Sequence, residues 1–137
     1  MRDLSETDLV GVWDLVSYVE IVEPGRQADG PLGPAPGGML IYADTGCMSV
    51  SMMRTDAEPG AGETFMGYAG GWRLLDGAVV AHDVLVSAHR ALVGTEQRRH
   101  AEFDGDHLVL TARAALGDRP RLRRLRWQRR TGAGGGR

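Results

Sequence analysis

Residues 68–87 read YAGGWRLLDGAVVAHDVLVS, two runs rich in Val, Leu and aromatic residues joined by Asp76-Gly77. Such runs favour extended backbone, and an Asp-Gly pair tolerates the positive φ angles that a two-residue antiparallel hairpin demands. The stretch therefore reads as a β-hairpin. The same texture repeats in both directions: residues 12–22, 39–43, 48–54, 97–103, 108–113 and 122–129 join 68–75 and 78–87 to give eight strand candidates. Asp44-Thr45-Gly46 and Asp104-Gly105-Asp106 supply two more tight turns. Only Ser5-Glu6-Thr7-Asp8, an N-cap followed three residues later by a carboxylate, predicts a helical turn, over residues 5–10.

Eight sequential antiparallel strands leave exposed edges unless the sheet closes, and closure gives an interior wide enough for side chains or one small ligand. The expected fold is thus all-β: an eight-stranded antiparallel up-and-down barrel with a short N-terminal helical turn, spanning residues 1–130. A two-sheet sandwich is the alternative, but it would need more long crossovers than the two longer connections, 24–38 and 55–67, which read as candidate lids. Residues 131–137 are mostly Gly and are expected to form a disordered tail.

The chain has 137 residues with 42% hydrophobic and 25% charged residues, proportions of one folded domain. The net charge of −2 provides no general field for phosphate backbones or anionic lipid, so neither nucleic acid nor a membrane is an expected partner. Every one of the 16 basic residues is Arg. Those at Arg119, Arg121, Arg123, Arg124, Arg126, Arg129 and Arg130 crowd the last strand; with no aromatic stacking platform beside them, they read as a solvent face that blocks an edge or makes dimer contacts. A homodimer is possible on that basis. Cys47 has no cysteine partner, the His spacings place no ligand pair on one short element, and no nucleophile elbow surrounds Ser49, Ser51 or Ser87. No metal, other cofactor or nucleophilic triad is expected. The N-terminus has no secretory apolar stretch, which makes the cytoplasm the expected location.

Period-two alternation, with Trp13 pointing inward, assigns faces to the strands. Tyr68, Gly70, Trp72 and Leu74 form the more apolar face of their strand, and Val80, His82, Val84 and Val86 share a face on the next, with Asp83 and Ser87 pointing out. On residues 97–103, Gln97, Arg99, Ala101 and Phe103 point inward, while Arg98, His100 and Glu102 meet solvent. A guanidinium inside a barrel needs a carboxylate or a ligand oxyanion to offset its burial, which makes Arg99 a candidate anchor and of more account to a ligand than the arginine cluster. Met48, Val50 and Met52 supply apolar wall, and Tyr18 and Tyr42 are amphipathic candidates near the mouth. For His82, Trp13, Met48 and Met52 plain core packing competes with any ligand role.

Gly11-Val12-Trp13 at the start of the first strand is a Gly-x-Trp signature. It is followed by Leu15-Val16-Ser17-Tyr18, Pro31-Leu32-Gly33-Pro34, Leu40-Ile41-Tyr42, Gly46-Cys47-Met48-Ser49-Val50 and Met53-Arg54. With Tyr68-Ala69-Gly70, 82–87, 93–97 and Arg99-His100, the chain resembles the bacterial and fungal lipocalin-like domain family along nearly its whole length. The resemblance implies a small barrel around a mostly apolar cavity, with Trp13 packed across one end. It supports a binding cavity better than any single reaction, and segment 55–67, short for the family, implies an open mouth.

The leading functional reading is a cofactor-independent enzyme of cyclase, dehydratase or isomerase type, acting on a hydrophobic, oxygen-bearing molecule such as a polyketide-type natural-product intermediate. Holding a flexible substrate folded, with one donor on a polarised carbonyl, would suffice for such chemistry. His82, Arg99 and Tyr68 are the catalytic candidates, with His89 near a loop as another proton carrier. Tyr18, Tyr42, Met48, Val50, Met52, Trp72, Val84, Gln97, Phe103 and Trp127 are the ligand-contact candidates. The alternative is a non-catalytic carrier with the same cavity, and a third class is an interaction module using the outer strand faces.

Overall fold

The structure is a computed structural model and describes residues 3–23, 25–56, 64–116 and 119–131. A helical turn, α1 (Glu6–Leu9), precedes nine strands: β1 (Gly11–Glu23), β2 (Arg26–Asp29), β3 (Pro36–Tyr42), β4 (Cys47–Arg54), β5 (Phe65–Leu75), β6 (Val79–Ser87), β7 (Glu96–Asp104), β8 (His107–Leu116) and β9 (Arg119–Arg129). All pairings are antiparallel, and β1 pairs with β9 to close the sheet. Eight of the strands form the expected up-and-down barrel. The expected tail lies outside the described residues except Thr131, as do residues 57–63 of the second expected lid.

The ninth strand comes from the connection read as a lid. β1 is longer than β3 can cover: β3 pairs with Gly11 to Asp14, and β2 takes Val19 to Glu23 on the same edge. Residues 25–38 are therefore tied to the barrel rather than draped over it, with Leu32 fully buried in the core.

Turn chemistry sorts the two ends. At Asp76-Gly77 both residues have positive φ, 54° and 71°, as a two-residue hairpin of this hand requires. The turns after β3, β5 and β7 lie at the same end as α1 and Trp13, and the longer connections lie at the other. Trp13 is wholly buried at this closed end, donating from Nε1 to the Leu9 carbonyl at 2.9 Å and packing 6.1 Å from Phe103. A core of Leu40, Val50, Val80, Leu108, Leu110, Leu125 and Trp127 fills the lower barrel.

Two β-bulges overrule simple alternation. On β1 the register slips at Val16, so that Leu15 pairs with Trp127 and Tyr18 with Leu125. Counted from Trp13, Tyr18 would face solvent; the extra residue returns it to the interior. On β6 the register slips at Leu85, and Val86, expected inside, is 61% exposed. Ser87, expected outside, pairs instead with inward-facing Tyr68 and donates to the Gly67 carbonyl at 3.2 Å. Gly70, across from this bulge, has no room for a side chain, because a Cβ there would collide with the Asp83 carbonyl.

The terminal arginines do not form one solvent face. Arg121 and Arg123 share the Glu20 carboxylate at 3.2 Å each, Arg126 pairs with Asp104 at 2.9 Å, and Arg130 pairs with Asp14 at 2.9 Å. Arg129 reaches under the closed end, donating to the Val10 and Asp8 carbonyls at 2.7 and 2.8 Å. Positions 123, 125, 127 and 129 share one parity, so the residues alternating with Arg124 and Arg126 include both apolar core and inward arginines.

Candidate functional site

A cavity of about 320 Å³ opens at the end with the longer connections. β1 supplies Tyr18, β3 Leu40, β4 Val50 and Met52, and β5 Met66, Gly67 and Tyr68. His82 comes from β6, His89 and Leu92 from the β6–β7 connection, Gln97 and Arg99 from β7, Leu110, Ala112 and Arg113 from β8, and Arg123, Leu125 and Trp127 from β9. Most of the lining is apolar, and the polar groups come from β1 and from β5 through β9. That is the usual composition of a small-molecule site.

The centre of the polar cluster is His82, 3% exposed and, among the described residues, the one titratable side chain outside the tyrosines that is fully buried. Its Nε2 lies 2.6 Å from the Tyr42 hydroxyl and its Nδ1 2.7 Å from the Tyr68 hydroxyl. Burial, with the Arg99 charge adding to it, pushes the imidazole pKa down to about 3, so His82 is neutral at physiological pH. A neutral imidazole has one N–H and one lone pair, so only one tyrosine can donate to it.

Burial decides which one. Tyr42 is 1% exposed, and His82 is its one hydrogen-bonding partner among the described residues; turning its proton elsewhere would strand a buried donor. Tyr42 therefore donates to Nε2, and the imidazole carries its hydrogen on Nδ1 and donates to the Tyr68 oxygen. The Tyr68 proton is left to point into the cavity. Desolvation raises the pKa of both tyrosines, so each keeps its proton. The chain Tyr42, His82, Tyr68 thus presents one directed O–H donor to whatever occupies the barrel.

Arg99 completes the cluster. Its charge bears on Tyr18, Tyr42, Tyr68 and His82 alike, and a terminal guanidinium nitrogen donates to the Arg98 carbonyl at 2.9 Å. It makes no ion pair among the described residues. Gln97 lines the cavity beside it and donates to the Thr95 hydroxyl at 2.8 Å. Trp127 forms part of the wall, with an Nε1–H that is buried and without a hydrogen-bond partner among the described residues.

The structure brings together Tyr18, Val50, Met52, Tyr68, His82, His89, Gln97, Arg99 and Trp127 of the residues singled out in the sequence. Tyr42 stands one layer behind the wall. Trp72 packs on Tyr42 at 4.6 Å and donates to the Ala43 carbonyl at 2.9 Å; Met48 and Val84 are buried in the core, and Phe103 lies against Trp13 at the closed end. Met66, Leu92, Leu110, Ala112, Arg113 and Leu125 line the cavity without having been singled out, and so does Arg123, expected on the solvent face of the last strand. The parity of Trp127 carries Leu125 and Arg123 inward with it, a signal present in the sequence. No group of three His, Cys, Asp or Glu able to hold a metal occurs among the described residues.

Fold and site together define a small closed antiparallel barrel with an internal, mostly apolar ligand cavity. The chain belongs to the lipocalin-like domain family, whose profile matches residues 10–130. No curated protein matches the chain significantly. No helix among the described residues is long and apolar enough to cross a membrane.

Proposed function

We propose that this barrel takes up one hydrophobic, oxygen-bearing small molecule of polyketide type and promotes its cofactor-free isomerisation, cyclisation or dehydration, within the cytoplasm. The observation that carries the reading is the Tyr42–His82–Tyr68 chain beside Arg99 in a mostly apolar cavity. Preorganised donors of this kind stabilise charge that develops on a carbonyl oxygen, and a water-poor wall strengthens them.

In the reaction this arrangement supports, a carbonyl oxygen of the substrate accepts from Tyr68 and Arg99. A proton leaves the adjacent carbon for the imidazole of His89 at the mouth, and the C–H electron pair becomes the enolate, held on the oxygen by the same two donors. Return of the proton to a different atom completes an isomerisation, attack of the enolate carbon on a second carbonyl completes a cyclisation, and loss of a neighbouring hydroxyl as water completes a dehydration. His82 is a poor base for this work, because its conjugate acid is too strongly disfavoured. Its part is to orient Tyr68.

The test is deuterium incorporation next to the carbonyl of a hydrophobic ketone such as 2-tetralone, followed by NMR in D2O. Exchange above the buffer rate, lost in Tyr68→Phe and Arg99→Met, supports the enzyme. Saturable binding of the ketone with exchange at the buffer rate replaces it with the second reading, a carrier. That reading draws on the burial of His82, Tyr42 and Tyr68, which disfavours a change of charge on any of the three and leaves them suited to hold a ligand by hydrogen bonds.

A further inference from the structure

The polar lining of the cavity is one-sided. Arg99, Arg113 and Arg123 all contribute to its wall, and among the described residues no Asp or Glu does. Glu20 is shared between Arg121 and Arg123, so part of that charge is met from the edge of β1. Neither Arg99 nor Arg113 has an ion pair among the described residues. The buried Tyr–His–Tyr chain adds a donor of its own, since Tyr42 gives its proton to His82 and His82 gives its own to Tyr68, which leaves the Tyr68 O–H free to donate to the ligand. A ligand hydroxyl or amine would find few lone pairs here. An acceptor-only, negatively charged head would find a guanidinium and a directed O–H at once.

From this we infer that the natural ligand is an amphipathic monoanion, a carboxylate or enolate on a hydrophobic skeleton, with its head at Arg99 and Tyr68, Arg113 drawing it in from the mouth, and its apolar body against Val50, Met52 and Leu110. The inference rests on the proposed uptake of a hydrophobic molecule and narrows it to anions. Arg99 is half-buried and Arg113 exposed, so the unpaired guanidinium charges stay partly solvated at the mouth until an anion arrives to meet them. Partly apolar cavities discriminate such heads well, since the wrong head leaves donors of the wall unmatched.

The test is competition at pH 7.5 against the neutral dye N-phenyl-1-naphthylamine, whose fluorescence rises in apolar surroundings, using decanoate, decan-1-ol and methyl decanoate. These share a chain and differ at the head. Decanoate should displace the dye at a tenfold or more lower concentration than either neutral analogue. Arg99→Met should remove most of that advantage while dye and decan-1-ol bind within twofold of the wild type, and Arg113→Met should remove a smaller part. If Arg99→Met fails to fold, Tyr68→Phe and Arg113→Met carry the same comparison, each expected to cost decanoate about fivefold and decan-1-ol nothing. Dye binding with decanoate no better than decan-1-ol would overturn the anion inference and leave hydrophobic uptake standing. Absence of saturable dye binding in the wild type would overturn both.

Discussion

Arg129 sits opposite Trp13 in the β1–β9 ladder and holds its guanidinium carbon 4.2 Å from the centre of the Trp13 ring, while its two terminal nitrogens donate to backbone carbonyls of Val10 and Asp8. One side chain thus closes the barrel floor and fastens α1 and the start of β1 to β9. Gly11 leaves it space: a Cβ there would collide with the Arg129 guanidinium.

Arg129→Ala should accordingly destabilise the fold by about 2 kcal/mol, the sum of a partly exposed cation–π contact and two charge-assisted hydrogen bonds. Arg98→Ala, an exposed arginine paired only on the outer face, should cost under about 0.5 kcal/mol. Denaturant unfolding of the two variants measures the difference, and equal costs would remove Arg129 from the closure.

The depressed pKa of His82 makes stability depend on pH in a definite window. The unfolded imidazole titrates near 6.5 and the folded one near 3, so between these values the unfolded state holds the extra proton. Stability is then fully present above about pH 6.5 and falls as pH drops, by about 1.4 kcal/mol per unit and roughly 2 kcal/mol by pH 5. His82→Gln should be less stable at pH 7 and lack this increment of slope. Parallel slopes in wild type and variant would show that His82 titrates normally.

The tautomer is open to direct observation. Imidazole 15N spectra of His82 should show hydrogen on Nδ1 and a lone pair on Nε2, unchanged from pH 5 to 8. A dominant Nε2–H form would reverse the direction of the hydrogen-bond chain and leave Tyr68 an acceptor. Tyr42→Phe, which deprives a buried nitrogen of its donor, should cost about 1 to 3 kcal/mol.

Adjacent glycines on β5 differ in what surrounds them. A Cβ on Gly71 meets nothing closer than 3.5 Å, whereas one on Gly70 runs into the backbone of the β6 bulge. Gly70→Ala should destabilise by about 3 kcal/mol and Gly71→Ala by less than about 1, read from denaturant midpoints. The bulge also inverts the facing of Val86 and Ser87, so release of the strain by a register slip would appear as a change in protection of the amides after Leu85.

Strand texture, the three Asp/Gly turns and the Ser5 to Asp8 cap determine the barrel from sequence alone, because each is a local preference of a few residues and all agree. Inward placement of Trp13, Tyr68, Trp72, His82, Gln97 and Arg99 also follows from sequence, since alternation is a covalent property of an extended chain. Tertiary structure decided the rest. The bulges at Val16 and Leu85 depend on partner strands, so Tyr18, Val86 and Ser87 take faces that no count along one strand gives. The hydrogen bonds of Tyr42 and Tyr68 to His82 join residues 40 and 14 positions apart, and which tyrosine donates is fixed by burial, a quantity that exists only once β3, β5 and β6 have closed around the ring.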